Sequence, residues 1–228
     1  GRTWNNTATQ TLTENGTVYA RLWDGTNYGG AASGSVTNID KTKPIVTGAN
    51  PTTNSIKITA TDEASGIIGY AVTTSTTTPT SFTSFTSCAS TKTLNVTVGG
   101  KTQGTTYYVW VKDQAGNISA SKSTSTGKVA DLTTGNTTFQ YSTKAWTNGN
   151  VTVTAKTTVT GFTLQTSKDG RTWNNTATQT LTENGTVYAR LWDGTNYGGA
   201  ASGSVTNIDK TKPIVTGANP TTNSIKIT

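Results

Sequence analysis

Thr106-Tyr107-Tyr108-Val109-Trp110-Val111-Lys112-Asp113-Gln114-Ala115-Gly116-Asn117 alternates apolar and outward side chains and then breaks into a turn. Successive side chains of a strand point to opposite faces. Tyr107, Val109 and Val111 therefore share a face that predicts burial, and Tyr108, Trp110 and Lys112 share the outward one. Asp113 to Asn117 then supplies residues that bond their own backbone or tolerate a left-handed turn, so the strand ends there. Thr186-Val187-Tyr188-Ala189-Arg190-Leu191-Trp192-Asp193 repeats the plan. It places Val187, Ala189 and Leu191 inward, and Tyr188, Arg190 and Trp192 outward.

The segments around the first stretch follow the same period of two. Ile56, Ile58 and Ala60 alternate with Lys57 and Thr59, and Asp62-Glu63-Ala64-Ser65-Gly66 breaks the pattern as a loop. Ile68, Tyr70 and Val72 form a further row, as do Leu94, Val96 and Val98, with Gly99-Gly100 as a turn. Thr73 to Thr80 suits an edge or turn, and Ile118 to Thr126 a last strand. About seven short strands with turns every eight to twelve residues describe an antiparallel β-sandwich. Gly161-Phe162-Thr163-Leu164-Gln165-Thr166-Ser167 matches Gly69-Tyr70-Ala71-Val72-Thr73-Thr74-Ser75, so a second, divergent sandwich follows the first.

Gly1 to Thr59 recurs without a mismatch as Gly170 to Thr228. Identity over such a length points to tandem duplication, and a fixed long period marks an array of modules. The expected organisation is the end of a second-type module at 1–39, a first-type module at 40–128, a second-type module at 129–208, and the first strands of another first-type module at 209–228. We expect the 228 residues to be a window on a longer array. Asn38-Ile39-Asp40-Lys41-Thr42-Lys43-Pro44 and its copy at 207–213 read as stiff linkers, because proline fixes its own φ and extends the residue before it.

Composition agrees with small modules. About a quarter of the residues are Thr, and hydrophobic content is 31%. That suits several thin cores rather than one thick one. The net charge of +7 comes from scattered Lys and Arg with no basic patch, which argues against nucleic-acid binding. No apolar run is long enough to span a bilayer. There is no His and a single Cys, Cys88, so neither an intradomain disulfide nor a zinc site of the usual Cys/His kind is expected. Cys88 reads as a small, at least half-buried residue. With no His and no distinguished nucleophile, the chain is not expected to be an enzyme.

Tyr107 to Asn117 resembles the penultimate strand and turn of bacterial immunoglobulin-like and fibronectin-III-like domains. Asp40-Lys41-Thr42-Lys43-Pro44 resembles the opening of such domains, and Lys168 to Trp173 and Asn184 to Ala189 are similar to repeats in that group. The resemblance covers essentially the whole chain. It implies an all-β fold of tandem sandwich modules in a linear array, in a secreted or cell-surface protein. Such domains serve as stalks, adhesins and spacers on enzymes.

Two candidate sites follow. In a sandwich of this topology the loop after the second strand, the loop after the sixth and the incoming linker meet at one end. Asp62 and Glu63, Asp113 and Asn117, and Asp40 occupy those three segments and could together hold Ca²⁺, which takes six to eight oxygen ligands. The alternative is that Asp113 and Asn117 only cap a tight turn. The outward aromatics Tyr108, Trp110, Tyr188 and Trp192 either stack on neighbours such as Arg190 or meet a glycan or a neighbouring fibre. Trp146 and Trp173 are expected to cover core ends. A Lys–Asn or Lys–Asp isopeptide lacks a buried Lys, since Lys57 should face solvent. The expected role is a rod-like stalk or fibre whose partners are adjacent identical repeats. The rivals are a glycan- or protein-binding adhesin module, and spacer domains of a secreted hydrolase.

Overall fold

The computed structural model describes residues 3–84, 91–220 and 225–227; Cys88 lies outside them. The chain is all-β, with small antiparallel sheets and no helix among the described residues. It divides into two units, Gly1–Gly127 and Lys128–Thr228.

The first unit opens with a hairpin of β1 (Gly16–Trp23) and β2 (Tyr28–Val36). Asp24 turns it, its Oδ1 accepting the Thr26 and Asn27 amides, and Gly25 supplies φ 105°. Seven strands follow: β3 (Ile45–Pro51), β4 (Ile56–Thr61), β5 (Ile67–Thr73), β6 (Thr83–Ser84), β7 (Thr93–Val98), β8 (Thr106–Asp113) and β9 (Lys122–Ser125). They form a sheet of order β3-β4-β7 and another of order β6-β5-β8-β9. Both sheets contribute to one core of Val46, Ala49, Ile56, Ile58, Ala60, Ile67, Leu94, Tyr107, Val109 and Val111. Full burial of Val109 and Val111 removes most of their apolar area from water, worth about 1.5–3 kcal/mol each.

Strict alternation fails in β3 and β5, and bulges explain both departures. Val46 and Ala49 are buried although odd spacing separates them; the register shifts between Val46 and Gly48. A Cβ on Gly48 would lie 2.5 Å from Thr59 Oγ1, so the bulge needs glycine there. In β5 the shift lies between Ile67 and Gly69. Ile67 therefore takes the core place expected for Ile68, which is half-buried and outside the core cluster, while the expected Tyr70 and Val72 pack against that core half-buried.

The second unit contains β10 (Thr137–Tyr141), β11 (Val151–Thr157), β12 (Thr163–Ser167), β13 (Thr178–Leu181), β14 (Gly185–Trp192) and β15 (Ala201–Val205), then a short pair, β16 (Ala218–Pro220) and β17 (Ile225–Ile227). The sheets are β10-β11-β13 and β12-β14-β15. Val187 packs with Val151, Val153, Leu181 and Val205, while Ala189 and Leu191 pack with Val129, Leu132 and Ala155.

β1–β2 and β14–β15 have one sequence and two environments. Leu191 is fully buried, whereas the identical Leu22 is 84% exposed. The strand β2 runs Tyr28–Val36, but β15 only Ala201–Val205. In the second unit Gly198 N–H still donates to the Leu191 carbonyl of β14 at 3.1 Å, but Gly199 bonds to the 129–132 segment, its carbonyl accepting the Leu132 N–H at 2.9 Å and its own N–H donating to Asp131 Oδ1. Side-chain and backbone partners outside the hairpin thus set its length.

Candidate acidic centre at the linker junction

Three segments meet at the Asp40 end of β3–β9. The loop after β4 touches the turn after β8: Gln114 N–H donates to the Gly66 carbonyl at 2.9 Å, and Ala115 N–H to Ser65 Oγ at 3.3 Å. The linker joins them through Asp40, whose Oδ1 accepts the Thr42 amide at 2.8 Å and whose Oδ2 accepts the Ser65 amide at 3.0 Å. Ser65 and Thr42 hold the Asp40 carboxyl below its usual range. One carboxylate oxygen from each of Asp40, Asp62 and Asp113 lies within 4.8 Å of the others.

Two of these acids are desolvated. Asp113 is fully buried; its Oδ1 accepts the Asn117 amide at 2.7 Å and its Oδ2 accepts Asn117 Nδ2 at 2.8 Å. Asp62 is 3% exposed; its Oδ2 accepts the Gly66 amide, while its buried Oδ1 has no partner. Among the described residues no Lys or Arg forms an ion pair with any of the three. Like charges gathered away from water favour either protonation or a bound cation.

The expected ligands therefore divide. Asp40, Asp62 and Asp113 come together. Asn117 stands beside them, but its Nδ2 also donates to the carbonyls of Asp40 and Thr42, each at 3.2 Å, so it braces the linker. Glu63 is exposed and outside the group. The turn-capping role of Asp113 and the gathering of acids are present together.

The outward aromatics depart further from expectation. Trp110 lies on the outer row of β8 yet is only 6% exposed, and its Nε1 is buried without a partner. Its across-strand neighbour Ala71 is also buried, so this face is covered and Trp110 is not available to a ligand. Tyr108, Tyr188 and Trp192 are half-buried. The aromatic partners of Arg190 are instead Trp173 and Tyr197, whose ring centroids lie 4.2 and 4.1 Å from its guanidinium carbon. Arg21 repeats this with Trp4 and Tyr28 at 4.0 and 3.4 Å. Trp146 does not cover a core end; it is 75% exposed.

Sequence reading missed an asparagine clamp on the linkers. Asn15 Oδ1 accepts the Ile39 amide at 2.8 Å and its Nδ2 donates to the Ile39 carbonyl at 3.0 Å. Asn184 holds Ile208 with the same two bonds at the same lengths. The available signal was a turn asparagine at one fixed distance before each linker. No protein-family model matches the chain, and no curated protein is significantly similar to it.

Proposed function

We propose that this chain is part of an extracellular, rod-like stalk built from tandem immunoglobulin-like or fibronectin-III-like sandwiches, serving to extend or display an adhesive tip rather than to catalyse. The observation that carries the proposal is the exact repetition of Gly1–Thr59 as Gly170–Thr228, with the asparagine clamp on the linker kept in both copies. A spacer can change length by whole units without altering any interface, which suits near-identical repeats. The division of β3–β9 into sheets β3-β4-β7 and β6-β5-β8-β9 supports the sandwich assignment.

The linker chemistry supports stiffness. Ile39 is held by the preceding hairpin through Asn15, and its neighbour Asp40 by the following loops through Ser65. Adjacent residues are thus fixed from two sides, leaving little freedom between them. Small-angle scattering of chains carrying increasing numbers of the 169-residue repeat tests the proposal. Doubling the length of a rod about doubles its radius of gyration, whereas a compact particle grows only about 1.3-fold. Compact growth would overturn the stalk.

A further inference from the structure

We propose that Asp40, Asp62 and Asp113 hold one calcium ion, which ties the linker to the loops after β4 and β8. The inference goes beyond the stalk and does not depend on it. Their nearest oxygens lie within 4.8 Å of one another. Ligands on opposite sides of Ca²⁺, each about 2.3–2.6 Å away, are about 4.6–5.2 Å apart, so all three fit one coordination shell. The donors are all hard oxygens, the kind that select calcium or magnesium over softer metals.

Asp62 supplies the independent observation. Asp62 is only 3% exposed, and its buried Oδ1 is left without a hydrogen-bond donor. A buried acceptor in that state is costly unless an ion or a proton satisfies it. Its other oxygen and both oxygens of Asp113 already accept from backbone or amide N–H groups, so Asp62 Oδ1 is the acceptor left over. A cation among the three carboxylates would satisfy that remaining acceptor. An open groove lined by Asn15, Ile39, Asp40, Ser65 and Gln114 reaches the Asp40 side of the group, while Asp62 and Asp113 lie buried behind it. Calcium is favoured over magnesium because its shell tolerates irregular geometry from three separate segments, whereas magnesium demands a near-ideal octahedron.

Asn117 acts as a positioning residue. Its Nδ2 links Asp113 to the carbonyls of Asp40 and Thr42, setting the linker against the turn. Asp209, the counterpart of Asp40, makes the same turn, accepting the Thr211 amide at 2.8 Å. Among the described residues it joins no acidic group, so the 228-residue chain should bind one ion.

The test is calorimetric titration of the chelator-stripped 228-residue chain with CaCl₂ and, separately, MgCl₂. The expected result is one calcium per chain, at least tenfold tighter than magnesium. Affinity should fall at least tenfold in Asp62→Asn and stay unchanged in Glu63→Gln. Amide chemical shifts of the unmodified chain provide a readout that needs no folded variant: calcium should move Thr42, Ser65, Gly66 and Asn117. Absence of binding at millimolar CaCl₂, equal affinity in Asp62→Asn, or shifts confined to other residues would overturn the proposal. A melting temperature raised by Asp62→Asn, with no calcium response in the unmodified chain, would assign the site to a shared proton.

Discussion

Truncating Leu22 and Leu191 to alanine separates burial from local sequence more cleanly than most paired substitutions. Both lie in Gly-Thr-Val-Tyr-Ala-Arg-Leu-Trp, within longer identical stretches, so intrinsic strand preference is the same at the two sites. Leu191 is fully buried beside Val129, Leu132, Ala155 and Ala189; Leu22 is 84% exposed. Removing a buried leucine loses its transfer free energy and leaves a cavity, about 2–5 kcal/mol in total. Removing the exposed one should change stability by less than about 0.5 kcal/mol. Because the chain has two units, one bulk melting curve would mix them. Native-state hydrogen exchange followed residue by residue resolves them, and the quantities to compare are the protection of Val187 and Ala189 in β14 for Leu191→Ala and of the identical Val18 and Ala20 in β1 for Leu22→Ala. Leu191→Ala should reduce the protection of β14 by the full cost, and Leu22→Ala should leave that of β1 unchanged. Equal losses in the two variants would refute the claim that packing, rather than strand preference, separates the copies.

Gly203→Ala should cost about 1–3 kcal/mol by overpacking, since a Cβ there meets Phe139 Cγ and Tyr141 Oη at 2.7 Å. The identical Gly34→Ala has nothing within 4 Å and should be neutral or slightly stabilising in urea denaturation. Asn184→Ala removes both bonds to Ile208 and should cost about 1–3 kcal/mol, seen as faster exchange of the Ile208 amide. The amides of Arg171 and Thr172 and the Ser167 hydroxyl hold the Asp169 carboxyl well below its ordinary value of 3.8. A lowered folded-state pKa stabilises above the unfolded value, and that contribution is lost as pH falls through the folded one. Carboxyl carbon shifts should place the Asp169 midpoint below 3.8; a midpoint above it would contradict the turn geometry.

Alternation made the inward rows legible, because a period of two assigns faces without any knowledge of the partner strand. Tyr107, Val109 and Val111 are buried on that basis, as are Val187, Ala189 and Leu191. The bulges at Gly48 and Gly69 were not legible: each depends on a close approach by another strand, which the local pattern does not encode. The burial of Trp110 was missed for a related reason, since a solvent-facing row assumes that nothing lies over the sheet. The acidic junction was more accessible to sequence, because topology alone brings two loops and a linker to one end. Glu63 shows the limit of that logic. Adjacent residues in a loop point in different directions, so Asp62 enters the site and Glu63 faces water.

The proposed array carries a folding hazard, and magnitudes indicate what offsets it. Identical hairpins such as β1–β2 and β14–β15 can exchange places in a half-folded chain, a characteristic failure of repeat proteins. Separating identical segments by a full repeat helps little by itself. Loop-closure entropy grows so slowly that doubling the separation costs only about 0.6 kcal/mol. Divergence between neighbouring modules is stronger. β8 offers Tyr107, Val109 and Val111 to its core where β14 offers Val187, Ala189 and Leu191. Placing valine in the Ala189 position overpacks that site, and placing alanine in the Val109 position leaves a cavity; either mismatch costs about 1–3 kcal/mol. Alternating two module types therefore discourages exchange between adjacent units more than distance does, while the exact long-period repeat preserves a uniform junction.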